Sequence, residues 1–193
     1  MDEPVVLWWQ PAGGAPRTVF GSREAYPAMV FEQVHPEMGD AVRAFAVEAL
    51  GSVAGLRVWD LYAGIGETSR ALAARGATVE SIELDRRAVD LANSLGGERM
   101  IRHAGPVEER LPALAPADAA IVNPPRVGLS AEVAEMLVTR APRRLVYISC
   151  DPATLARDLT RLSAGYRVVD VRAFDLFPQT AHVETVTLLE SAS

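Results

Sequence analysis

Cys150 is the only cysteine among 193 residues, and its neighbours give it a chemical setting. Leu145, Val146, Tyr147 and Ile148 lead into Ser149 and Cys150; Asp151, Pro152 and the helix-like "ATLARDL" follow. A thiol there is either a small apolar residue closing a buried strand or a nucleophile. The N-terminus of a following helix favours the thiolate, while the charge of Asp151 beside it acts in the opposite sense. A second stretch, "DLYAGIGETS", runs from Asp60 to Ser69. Gly64 and Gly66 let the backbone turn sharply and approach a ligand closely. Glu83 ends the next strand about 20 residues on, where a carboxylate accepts both hydroxyls of a ribose. A third, Asn123-Pro124-Pro125-Arg126, sets polar groups around a rigid dipeptide at a strand's carboxyl end. Asn123 and Arg126 are the candidate contacts to a planar base held there.

The glycine stretch discriminates between cofactors. A nicotinamide dinucleotide needs a helix N-terminus facing its pyrophosphate, usually with a third glycine. Here Ser69 occupies that position, and Glu67 would set a negative charge beside the phosphates. These acids suit a nucleoside cofactor that lacks phosphate and carries a cationic sulfonium. That describes S-adenosylmethionine, so a methyltransferase is favoured over a dehydrogenase.

The elements that must position these residues alternate. "LRVWDLY", "ATVESIEL", "RMIRHA", "DAAIVNPP" and "RRLVYISC" read as strands separated by helical patterns. The helices are capped by Asp85, Ser130 and Asp151, with Pro152 in the first turn of the last and Gly165 as its stop. "YRVVDVRAFDLF" and "HVETVTLLE" follow without a helix between them. An α/β fold results, with a mostly parallel seven-stranded sheet, helices on both faces and a C-terminal antiparallel hairpin. A further helix over "HPEMGDAVRAFAVEAL" precedes the first of these strands and stops at Gly51. Residues 1–30 read differently: "VVLWW" is one short strand, and "QPAGGAPRTVFGSREAYP" is turn chemistry throughout. They form a short extension or the remnant of another domain, and 31–193 the catalytic domain.

Composition sets the outer bounds. The net charge of −6 gives no basic face for gripping nucleic acid alone, although all 19 basic residues are arginine, the better fork for phosphate. No apolar run approaches bilayer length, and "MDEPVVLWWQ" has no basic leader, so no membrane association and a cytoplasmic location are expected. One cysteine and three scattered histidines make no metal site. His103 reads as an edge residue, and His182 as either a strand filler or an orienter of Glu184.

Five stretches in order, "FEQVH", "DLYAGIG", "NPPRVGL", "YISCDPATLARDL" and "DLFPQTAHVE", resemble the S-adenosylmethionine-dependent uracil-C5 methyltransferases of tRNA and ribosomal RNA. The resemblance covers about Phe31 to Glu190 and implies the Rossmann-like class I methyltransferase fold. It implies Cys150 as nucleophile, Glu184 as general base, and cofactor contacts at Gln33, Tyr62, Glu83, Glu67 and Asn123, which join Asp60, Gly64 and Gly66. An RNA substrate is implied, with RNA-binding parts supplied elsewhere. The chain departs from the family pattern in having Asn123 for Asp, Glu67 for Asn, Pro106 for a polar residue and His35 for Asn. Two other readings stay open: a cofactor-binding domain without activity of its own, and an amine methyltransferase. "NPPR" is similar to the latter's Asn/Asp-Pro-Pro-aromatic motif, with Arg126 in place of the aromatic.

Overall fold

The computed structural model describes residues 7–9, 17–20, 36–175 and 183–192, and the chain divides into two units, 1–33 and 34–193. In the first, β1 (Leu7–Trp9) pairs antiparallel with β2 (Arg17–Phe20). β1 falls in the expected strand. β2 corrects the reading of turns throughout: Arg17, Thr18 and Phe20 pair with Trp9, Trp8 and Leu7 across the Gly- and Pro-rich residues that separate the two strands in sequence.

The second unit opens with α1 (Pro36–Ala49) and then alternates: β3 (Arg57–Leu61), α2 (Glu67–Ala74), β4 (Thr78–Glu83), α3 (Arg86–Ser94), β5 (Met100–Ala104), α4 (Val107–Arg110) with a 3₁₀ turn, β6 (Ala119–Val122), α5 (Ala131–Arg140), β7 (Arg144–Ser149), α6 (Pro152–Leu162), β8 (Tyr166–Phe174) and β9 (Glu184–Ser191). The sheet order is β5-β4-β3-β6-β7-β9-β8. The five strands from β5 to β7 are parallel, and β9 runs antiparallel to both β7 and β8. The register of β8 shifts between Val168 and Asp170.

Period-two alternation sends successive residues of the central strands to opposite layers. Trp59, Leu61, Ala120, Val122, Leu145 and Tyr147 join one core with residues of α4, α5 and α6. Val58, Ala119, Ile121, Val146 and Ile148 join the other with Val42, Ala46 and Val47 of α1 and Leu72 of α2. Each fully buried aliphatic side chain stabilises by about 1.5–3 kcal/mol. Trp59 donates from Nε1 to the Ala115 carbonyl at 3.0 Å, and Arg140 stacks over its ring at 4.7 Å.

Helix starts follow the cap residues. Asp85, Ser130 and Asp151 accept from the backbone N–H groups of Arg87, Val133 and Thr154 at 2.9, 3.2 and 2.7 Å. Replacing such a cap with alanine costs about 1 kcal/mol. α6 ends at Leu162 with Ser163 as its C-cap, short of the expected stop at Gly165.

Candidate active site

β3 and β6 are neighbours in the sheet, yet the chain leaves β3 in the other direction, towards β4 and β5. Ligands bind in such sheets outside the carboxyl ends of the strands, where the order reverses. The loop 62–66 and the segment from Asn123 meet at this point, and the Asn123 backbone N–H donates to the Leu61 carbonyl at 3.2 Å.

Glu83 organises the glycine loop. Its Oε2 accepts from the Gly64 backbone N–H, and its Oε1 from the Asp85 N–H, both at 2.8 Å. Each oxygen keeps a further lone pair, so the held carboxylate still has acceptors for two vicinal hydroxyls. Gly64 adopts φ +55° and Gly66 φ +75°, and a Cβ on Gly64 would meet nothing within 4 Å. The missing side chain therefore leaves an open cradle beside the carboxylate. Tyr62 is also left-handed, at φ +64°. A non-glycine residue in that region costs roughly 1–2 kcal/mol and is found at ligand clamps. Its ring packs on the core beneath α4, α5 and α6, and burial, with the carboxylates of Glu108 and Asp158, raises its hydroxyl pKa.

Asp60 lies beneath the loop, 2% exposed, and accepts from the Ser69 hydroxyl at 2.5 Å. Burial pushes its carboxyl pKa up to about 6, against the opposing Ser69 hydrogen bonds. Ser69, read as the missing third glycine, is thus the partner of that acid. Glu67 is exposed and paired with Arg43 of α1 at 3.1 Å, so the described contacts of its carboxylate lie on the helix side of the loop. An open glycine cradle beside an anchored carboxylate fits S-adenosylmethionine.

The second half of the site is assembled by an antiparallel register. β7 and β9 pair from Arg144↔Glu190 to Ser149↔Thr185, and Thr185 donates from Oγ1 to the Ser149 carbonyl at 3.1 Å. The next residues in that register are Cys150 and Glu184. Residues far apart in sequence are therefore set opposite each other. Glu184 is 3% exposed, and burial raises its carboxyl pKa. Cys150 is partly exposed, just ahead of the Asp151 cap of α6. Burial and then the Glu184 charge raise its thiol pKa, while the Arg126 guanidinium pulls it down. The opposing positive charge comes from the "NPPR" turn. Ser149 braces the strand end: its Oγ donates to the Asp151 carbonyl at 3.0 Å and lies 3.2 Å from the Asp151 N–H, an orientation that closes the turn.

Asn123 and Arg126 are exposed and Pro124 is buried, so the Pro-Pro step anchors a turn with polar groups on either side. The sequence reading missed Asp158, which is fully buried. Its signal was an acid on the apolar stripe of α6, between Leu155 and Leu162. Gln33, His35 and His182 lie outside the described residues, as do the side chains of Trp8 and Trp9. His103 sits on β5, the terminal strand of the sheet, 3.5 Å from the Glu80 carboxylate. Among the described residues no group of His, Cys, Asp or Glu could hold a metal, and no helix is long and apolar enough to cross a membrane.

Residues 115–192 match the family model described as tRNA (Uracil-5-)-methyltransferase. An uncharacterized RNA methyltransferase of Streptomyces coelicolor is 40% identical over 171 residues, which cover 84% of this chain and 37% of the relative. One from Gloeobacter violaceus is 41% identical over 175 residues, covering 88% and 38%. The chain thus spans about two fifths of the length of these curated relatives. The crystal structure of Pyrococcus abyssi tRNA (uracil-54, C5)-methyltransferase with S-adenosyl-L-homocysteine superposes with a TM-score of 0.72 at 27% identity, over 95% of this chain and 44% of that one. Magnesium protoporphyrin IX methyltransferase from Synechocystis with bound SAM has a TM-score of 0.60 at 19% identity, over 80% of this chain and 79% of that one, and shares the fold alone. The architecture is the Rossmann-like class I methyltransferase fold, with S-adenosylmethionine as the cofactor of such folds. The family model's span takes in Asn123, Arg126, Cys150 and Glu184 together, and over that span the chain is similar to the tRNA (uracil-5-)-methyltransferases.

Proposed function

We propose that this chain is the methyl-transferring part of a cytoplasmic enzyme that methylates carbon 5 of a uridine in tRNA or ribosomal RNA. The observation that carries this reading is the β7–β9 register, whose last pair, Ser149↔Thr185, brings the next residues, Cys150 and the buried Glu184, close enough for the carboxylate charge to act on the thiol. Carbon 5 of uracil is a weak nucleophile until carbon 6 is attacked. The Cys150 thiolate adds at carbon 6, forming a C–S bond and pushing the ring electrons towards the carbon-4 carbonyl as an enolate. Bound S-adenosylmethionine supplies the electrophilic methyl group. Glu184 then takes the proton from carbon 5, the C5–C6 double bond re-forms, and the C–S bond breaks to return the thiolate. The Arg126 guanidinium holds negative charge on sulfur at both ends of the cycle. Asn123 stands at the base pocket, where its amide both donates and accepts to a pyrimidine edge.

That the Pyrococcus abyssi relative is a tRNA (uracil-54, C5)-methyltransferase supports a uridine target. A thiol facing a buried carboxylate has no part in methylating an amine, which favours the pyrimidine reading over that of an amine methyltransferase.

The test uses RNA containing 5-fluorouridine. Fluorine leaves no removable proton at carbon 5, so a covalent protein–RNA complex stable to denaturing electrophoresis is expected in the presence of cofactor. Cys150→Ala should abolish it. Glu184→Gln should accumulate the same adduct on ordinary uridine RNA while turnover falls by about 10²-fold or more. No complex with the wild-type chain under any RNA tested, or one that survives Cys150→Ala, refutes the proposal.

A further inference from the structure

Asp158 lies in α6, two helical turns beyond Cys150, and it is fully buried. Its Oδ2 accepts from the Leu129 backbone N–H and from the Tyr147 hydroxyl, both at 2.8 Å. Its Oδ1 accepts from Arg157 Nε at 3.0 Å and Arg161 Nη1 at 3.1 Å. The same two arginines reach the segment after the Pro-Pro step: Arg157 donates to the Val127 carbonyl at 2.7 Å and Arg161 to the Leu129 carbonyl at 3.0 Å. Gly128 passes directly over the carboxylate. At φ +74°, a Cβ there would stand 2.3 Å from Asp158 Oδ2 and 2.3 Å from the Thr154 methyl. Its N–H closes a turn onto the Pro125 carbonyl at 2.7 Å, and Arg126 lies inside that turn.

One buried carboxylate therefore ties three pieces together: the turn that carries Arg126, the strand that leads to Cys150 and the helix that follows it. We propose that Asp158 is a positioning residue that fixes the Pro125–Leu129 turn on α6 and so holds Arg126 against the Cys150 sulfur. This rests on the reading of Cys150 as the nucleophile. The charged groups acting on that sulfur are Glu184 from β9 and Arg126 from the turn, while the Asp151 carboxylate next in the chain caps α6 through the Thr154 N–H; Tyr147, Arg157 and Arg161 face Asp158. A purely architectural Asp158 would contribute to stability without acting on the thiol.

The sole cysteine makes the test direct, because iodoacetamide alkylation reports on Cys150 alone. The rate is measured against pH for the wild-type chain, Arg126→Gln, Asp158→Asn and the double variant. Thermal melting and S-adenosylhomocysteine affinity serve as controls for folding. Losing the guanidinium contact should move the alkylation midpoint upward by roughly half a unit to one unit, slowing the reaction at pH 7.5 about 3- to 10-fold. Asp158→Asn should match Arg126→Gln, and the double variant should shift no further. Should Asp158→Asn fail to fold, Tyr147→Phe, which keeps the buried charge and removes one donor, should show a smaller shift in the same direction. A lower melting temperature with an unmoved midpoint, in either variant, overturns the proposal. So does full additivity in the double variant. Alkylation needs no RNA, so this result is independent of whether a fluorouridine complex forms.

Discussion

Asp60 should leave its mark on stability between about pH 4 and pH 6. Its carboxyl pKa is raised by burial to about 6, above the ordinary aspartate value. In the unfolded chain the group ionises near pH 4, while in the native state it holds its proton up to about pH 6. The native state thus binds more protons across that window, and stability falls as pH rises through it. Above it the full cost remains, about 3 kcal/mol at most, from roughly two units at 1.36 kcal/mol each. Asp60→Asn keeps an acceptor for the Ser69 hydroxyl and removes the buried charge. It should melt several degrees higher than wild type at pH 8, with the gain shrinking towards zero near pH 4. A melting temperature at or below wild type at pH 8 would show that the buried charge is compensated by more than Ser69. The penalty sits under the cofactor loop, where strained or unfavourable groups are tolerated for function.

At the scale of elements, the loop between β3 and α2 separates stability from binding. Gly64 needs its left-handed φ of +55°, but space around it is free. Gly64→Ala should therefore cost only about 1 kcal/mol of stability, while the new methyl fills the cradle beside Glu83. Titration calorimetry with S-adenosylhomocysteine should show at least 10-fold weaker binding; unchanged affinity would mean that the ligand does not approach the loop there. This loop was legible from residues alone, because glycines, an acid and the following strand lie close in sequence. The three helix caps were legible for the same reason. The pairing of Cys150 with Glu184 was not, since only the β7–β9 register brings them together, and its roles had to come from resemblance. Asp158 offered only an acid on the apolar stripe of α6 as its signal, because its partners Tyr147 and Leu129 lie on β7 and on the 127–129 segment, which no local pattern connects to it. β2 was hidden by the glycines and prolines that surround it.

At the scale of the whole molecule, the charge balance predicts weak anion binding by this chain alone. Its net charge is −6, and Arg43, Arg57, Arg75, Arg87, Arg144 and Arg167 already face carboxylates. Such surface pairs add at most about 1 kcal/mol each to stability, yet they occupy the cations that phosphates would use. Fluorescence anisotropy with a short RNA should give a Kd above about 10 μM at 150 mM salt, and a log–log salt slope shallower than about −3. A slope near −6 would reveal a concentrated basic face that the charge balance conceals. The terminal strand β8 carries a separate consequence. Val168, Val169 and Val171 are exposed along it, a sequence well suited to recruiting another chain by strand addition. Arg167, Asp170 and Arg172 interrupt the valines, and the register shift between Val168 and Asp170 bends the hydrogen-bonding edge at that point. Solubility at high concentration therefore depends on a few charged residues and one irregularity at the far side of the sheet from the cofactor loop, and neutralising them would favour fibre-like association with the fold still intact.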